Sequence, residues 1–75
     1  MKQKRVQIKI NTEYITLGQF LKFANVVDSG SEAKFYLATH KILINKELDN
    51  RRGRKLRPGD IVEIENETYE IISKW

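Results

Sequence analysis

A chain of 75 residues is one domain, and at that size only about 60% of the unfolded surface becomes buried, so the core must be small. Hydrophobic residues make up 40%, cysteine is absent and the formal net charge is +4, which excludes a disulfide scaffold and leaves stability to packing. No apolar run approaches the roughly 20 residues of a membrane span and the start lacks the apolar stretch of a signal peptide, so the expected location is cytoplasmic, with no membrane partner.

Val6, Ile8 and Ile10 alternate with Arg5, Gln7, Lys9 and Asn11. That period of two predicts a half-buried strand over 4–11. Thr16 followed by Gln19 has the form of a capping box, with Ile15 placed to staple against Phe20. Leu17, Phe20, Leu21 and Ala24 then share one face of a short helix that Asn25 ends. Ser29 and Glu32 repeat the capping pattern for a second helix, on which Ala33, Tyr36, Leu37 and His40 form one stripe and Lys34 and Lys41 lie on other faces. Ile42, Leu43 and Ile44 make a short strand, Asn45-Lys46 the hairpin turn, and Glu47-Leu48 the return. Pro58-Gly59-Asp60 reads as a turn. A strand at 61–64 carries Val62 and Ile64 on one face, Asn66-Glu67 turns the chain again, and 68–73 is the last strand. The fold class that follows is α+β: two early helices packed on a small twisted antiparallel sheet, in the order β-α-α-β-β-β.

Between the two halves lies the densest charge in the chain. Arg51, Arg52, Arg54, Lys55 and Arg57 crowd a stretch with no acid between 51 and 57. Such a segment is either a solvated loop or a site for a polyanion. Lys/Arg contacts to a phosphate backbone gain affinity by releasing condensed counterions, and arginine forks bind phosphate oxygens bidentately. Gly53 lets the segment bend close to such a backbone. Residues 1–58 carry 13 Lys/Arg against 5 Asp/Glu, whereas 59–75 carry one Lys against 5 acids. That asymmetry predicts a dipolar molecule that meets an anionic partner in a preferred orientation.

A second candidate is the start of the second helix. Ser29, Gly30 and Ser31 offer N–H groups and hydroxyls at the positive end of a helix dipole, which suits a phosphate, and Lys34 lies one turn further on. Ordinary capping is the competing reading, and Glu32 opposes an anion there. His40 is the only histidine and sits on the apolar stripe, so a packed residue is expected rather than a catalyst. No arrangement of residues suggests a catalytic triad, a metal site, a cofactor or a small-molecule substrate. Tyr14, Tyr36 and Tyr69 can stack on bases, although their places within elements favour packing. Phe23 lies beside the main stripe of its helix and is expected to be partly exposed.

The order of these motifs is similar to that of a known family. Leu17-Gly18-Gln19-Phe20-Leu21, Ser29-Gly30-Ser31-Glu32-Ala33-Lys34, Ile42-Leu43-Ile44-Asn45-Lys46 and Leu56-Arg57-Pro58-Gly59-Asp60-Ile61-Val62-Glu63-Ile64 together resemble the RNA-binding domain first recognised in ribosomal small-subunit protein four, the S4 domain or αL motif. The resemblance implies a single RNA-binding domain over 1–75, with an αL core at about 15–64 and flanking strands at 4–11 and 68–73. It is nearest to the small stand-alone bacterial members, the YaaA- and YbcJ-like proteins. A non-catalytic monomer is implied, gripping structured RNA (ribosomal RNA before transfer RNA) on or near the ribosomal particle, in assembly or quality control. Thr16 and Gly30 stand where the family commonly has Arg, and Lys46 where it has Gly. The grip is therefore expected to have moved toward the basic segment. The expected RNA-binding residues are Arg51, Arg52, Arg54, Lys55, Arg57, Lys46, Lys34, Lys41, Ser29, Gly30 and Ser31. The alternative is a protein-docking adaptor on a ribonucleoprotein that uses the acidic strands, through Glu63, Glu65, Glu67 and Glu70.

Overall fold

The computed structural model describes residues 5–65 and 67–74, and both helices begin where the sequence supplies caps. In α1 (Leu17–Phe23) the Gln19 N–H donates to the Thr16 hydroxyl at 3.2 Å, and the Thr16 N–H donates to the Gln19 side chain at 2.9 Å. Two otherwise unpaired donors are satisfied reciprocally. At the other end Asn25 adopts φ 60°, and the N–H groups of Asn25 and Val26 donate to the carbonyls of Lys22 and Leu21. This is a Schellman arrangement with Asn in the left-handed position.

In α2 (Gly30–Thr39) the Glu32 N–H donates to Ser29 Oγ at 3.2 Å. The Glu32 carboxylate accepts from the Asp28 N–H at 2.8 Å instead of closing back on Ser29, so the expected box is displaced by one residue. Ala33 and Leu37 are buried, while Tyr36 and His40 remain half-buried. The two rings stack with centroids 3.8 Å apart. Lys41 falls beyond the C-cap at His40, in the connection to the next strand, so it lies on no helix face.

The strands are β1 (Arg5–Ile10), β2 (Ile15–Thr16), β3 (Ile42–Ile44), β4 (Glu47–Leu48), β5 (Lys55–Leu56), β6 (Ile61–Ile64) and β7 (Glu67–Ser73). Five of them form one sheet in the order β1-β7-β6-β3-β4, and β2 and β5 form a separate ribbon. The sheet is mixed, not all antiparallel, because β1 runs parallel to β7. Alternation in a sequence fixes which face a strand buries and says nothing of its direction. Asn66, half of the expected last turn, lies outside the described residues, as does Lys4 of the first strand.

One core lies between the helices and one face of the sheet. Leu17, Phe20, Leu21, Ile42, Ile44, Val62 and Ile71 are fully buried there, and Phe20 meets Tyr69 edge to face with centroids 5.1 Å apart. Full burial of such side chains stabilises by about 1.5–3 kcal/mol each. Two turns then fix the register. Asn45 (φ 52°) and Lys46 (φ 73°) both take positive φ, as a two-residue type I′ hairpin demands. Gly59 takes φ 101° in a Pro-Gly turn closed by the Asp60 N–H donating to the Arg57 carbonyl at 3.0 Å. Asn45 ties the two turns together, donating to Asp60 Oδ1 at 3.1 Å and accepting from the Ile61 N–H at 3.0 Å.

Candidate nucleic-acid interface

The basic segment is not an open loop. Lys55-Leu56 pairs antiparallel with Ile15-Thr16, and Leu56 is wholly buried. One apolar residue between Lys55 and Arg57 is the only sequence signal for that strand. The segment also terminates α1: the Leu17 N–H donates to the Arg54 carbonyl at 2.7 Å and the Gly18 N–H to the Arg52 carbonyl at 3.0 Å. Helix starts leave such donors unpaired, and here the backbone of the basic segment satisfies them. Gly18 makes the approach possible, since a Cβ at that position would stand 2.7 Å from Arg52 Cγ.

An acid just upstream fastens the same segment. Asp49 has a side chain only 9% exposed. Its Oδ1 accepts from the Arg51 N–H at 2.9 Å and Nε at 3.1 Å, and its Oδ2 accepts from Arg51 Nη2 and Arg54 Nη1, both at 2.8 Å. The side-chain hydrogen bonds from Arg51, helped by those from its backbone and from Arg54, hold the Asp49 carboxyl well below the usual carboxylate range. The Arg51 guanidinium is raised by the same contact. Arg54 is consequently mostly withdrawn, with 26% of its side chain exposed, while Arg51 stays 71% exposed. Charge counting along the sequence treated all five cations alike. Asp49 divides them into two that hold the segment's shape and three that it leaves for other partners.

Arg52 stands at the junction of the two helices. A groove of about 320 Å³ is lined by Thr16, Gln19 and Lys22 from the α1 side, Gly30 from the start of α2, and Arg52 and Gly53 from the basic segment. A neighbouring hollow, again about 320 Å³, shares Arg52 and adds Lys34 and Asn50. Arg52 thus lines both hollows, one with Lys22 and the other with Lys34. Lys22 escaped the sequence reading because it lies on the polar side of α1, where a single Lys carries no signal until the segment folds beside it. Ser29 Oγ is taken up by the cap, whereas Gly30 and Ser31 are exposed. Nothing lies within 4 Å of a Cβ built on Gly30 or Gly53, so the groove is open at both.

Residues 8–72 match the S4 domain family. The chain belongs to it. The protein named "probable ribosome maturation protein RlbA" from Bacillus subtilis (strain 168) is 64% identical over 58 residues, covering 77% of this chain and 82% of that protein. The S4 match runs from within β1 to within β7, so it includes the caps, the ribbon and the helix junction just described.

On this S4 domain four of the expected residues do not line the groove. Lys46 points to Glu63, with Nζ 3.4 Å from Oε2, and shares a hollow with Arg5 and Thr68. Lys41 lines a hollow of about 410 Å³ with Leu48, Asp49 and Asn50. Lys55 and Arg57 turn to the outer face of the ribbon, where Lys55 Nζ is 5.0 Å and Arg57 Cζ 5.6 Å from the centre of the Tyr14 ring. Exposed cation–π contacts of this kind contribute about 0.5–1 kcal/mol. Phe23 is 58% exposed, as its place beside the stripe predicted, and Phe35 of α2 is 70% exposed. Among the described residues no cluster of His, Cys, Asp or Glu can hold a metal ion, and no helix is long and apolar enough to cross a membrane.

Proposed function

We propose that this S4-domain protein is a non-catalytic RNA-binding factor that acts in ribosome maturation, holding structured ribosomal RNA by its phosphates at the junction of α1, α2 and the basic segment. The observation that carries the reading is the position of Arg52. Its backbone is bonded to the start of α1, and it lines both neighbouring hollows, one shared with Lys22 and Gly30 and the other with Lys34. Cations held on a rigid frame bind a duplex by its shape and backbone, because A-form RNA hides its base edges in a deep groove. The name of the Bacillus subtilis relative, a ribosome maturation protein, supports the ribosomal setting. A cytoplasmic monomer fits that role. Docking to a protein through the acidic strands is less well supported, since Glu63 is paired with Lys46 and Glu70 with Arg5 at 3.8 Å.

The test is an electrophoretic shift with folded ribosomal RNA fragments. Wild-type affinity should fall with salt by a log–log slope of about −0.7 to −0.9 per phosphate neutralised. Changing Lys22, Lys34 and Arg52 together to Glu should abolish the shift while the circular dichroism spectrum stays unchanged. A triple variant that binds as tightly as wild type would put the RNA elsewhere on the molecule.

A further inference from the structure

The three tyrosines have different fates. Tyr69 is buried, Tyr36 is half-buried and stacked on His40, and Tyr14 faces solvent at 36% exposure. Tyr14 is not loosely placed. The Thr12 hydroxyl donates to its carbonyl at 2.9 Å, and the next residue, Ile15, is buried and paired with Leu56. One step beyond that pairing sets Tyr14 opposite Arg57. Strand alternation then puts Tyr14, Thr16, Lys55 and Arg57 on the same outer face, with Ile15 and Leu56 turned into the core. Lys55 Nζ and Arg57 Cζ lie over the ring, Lys55 at the start of β5 and Arg57 one residue past its end. Thr16 belongs both to this face and to the groove that Arg52 lines, so the two surfaces are continuous.

We infer that Tyr14, flanked by Lys55 and Arg57, is a stacking platform for an unpaired nucleotide adjoining the RNA stem held at the helix junction. This rests on the RNA-binding role proposed above and narrows its ligand to a stem with a single-stranded flank or bulge. Bases within a duplex cover one another's faces, so a surface ring can stack only on a base that is unpaired or terminal. A ring with two cations over it, which an incoming base would displace toward its flanking phosphates, combines the aromatic platform and the positive charge that single strands use. The nearby cations also hold the ring in one orientation before RNA arrives.

Fluorescence anisotropy at one salt concentration tests this with two labelled probes: a blunt two-stranded RNA stem with no loop, and the same stem carrying a short unpaired oligoadenosine tail. Wild-type protein should bind the tailed stem about tenfold more tightly, the scale of one base–aromatic stack. Tyr14→Ala should erase that preference and leave the blunt stem's affinity within about twofold, while Tyr14→Phe, which keeps the ring, should retain the preference. If the alanine variant does not fold, Tyr14→Leu supplies bulk without a π face and is expected to behave in the same way. Equal wild-type affinity for both probes overturns the platform, and so does a preference that survives the loss of the ring or an equal weakening toward both probes. In each of these cases the phosphate contacts at Arg52 still stand. If wild-type protein binds neither probe, the RNA-binding role falls and the platform with it.

Discussion

Gly30 shows how much one residue can decide at a charged surface. It opens α2, lines the groove beside Arg52, and has nothing within 4 Å of where a Cβ would stand. The related pattern commonly carries Arg here, so this chain lacks a cation at a position that has room for one. Gly30→Arg should therefore fold normally and bind ribosomal RNA fragments several-fold more tightly. Its salt dependence should be steeper by about 0.7–0.9 in log–log slope, one further phosphate contact. Titrating both proteins over a range of salt concentrations checks the affinity and the slope together. The same change at Thr16 is a poor experiment, because Thr16 caps α1 and losing a cap costs about 1 kcal/mol.

At the scale of elements, the basic segment is held by three devices: the ribbon pairing, the two carbonyls bonded to α1, and the Asp49 latch. Charge-assisted hydrogen bonds contribute about 1.5–3 kcal/mol, so Asp49→Ala should lower stability by about 2 kcal/mol in urea unfolding at neutral pH. The folded-state pKa of Asp49 is depressed. Its contribution is thus complete above the ordinary carboxylate value of about 3.9 and is lost as pH falls through the lowered one. The gap between wild type and variant should hold from neutral pH to that value and close below it. A gap that widened in acid would mean that the latch is not electrostatic. These devices also mark where sequence reasoning stopped. The caps at Thr16 and Ser29, the Asn25 stop and the Asn45-Lys46 hairpin were legible because each depends on residues within a few positions of one another. The ribbon was not, since Ile15 and Leu56 are far apart in sequence and two-residue strands have no periodicity to detect. Asp49 was hidden for a related reason: an acid beside a cationic run looks like one charge fewer until its two oxygens are seen to divide the arginines.

The whole molecule is less dipolar than its linear charge count suggests. Acidic β7 lies between β6 and the basic β1, and β1 and β7 run in register from Arg5 with Thr68 to Ile10 with Ser73. The Arg5–Glu70 and Lys46–Glu63 pairs then mix the two signs across the sheet. The sheet order was the missing information, because the early strand is carried to the far side of the late ones. The site was legible to a similar extent. The cationic run and the Gly30 helix start were visible in the sequence, but their meeting at Arg52 with Lys22 required the Gly18 contact that only the fold displays.

That contact bears on how the protein meets a protease. A run of four arginines and a lysine is ordinarily among the first places trypsin cuts, since cleavage needs an extended, detachable backbone. Here the carbonyls of Arg52 and Arg54 are engaged by α1, and Leu56 anchors the far end. Cleavage within 51–57 should wait for the domain to open and keep pace with its global unfolding. Timed digestion read by mass spectrometry would show this: early nicks within that run, in protein that is otherwise intact, would mean the tether is loose.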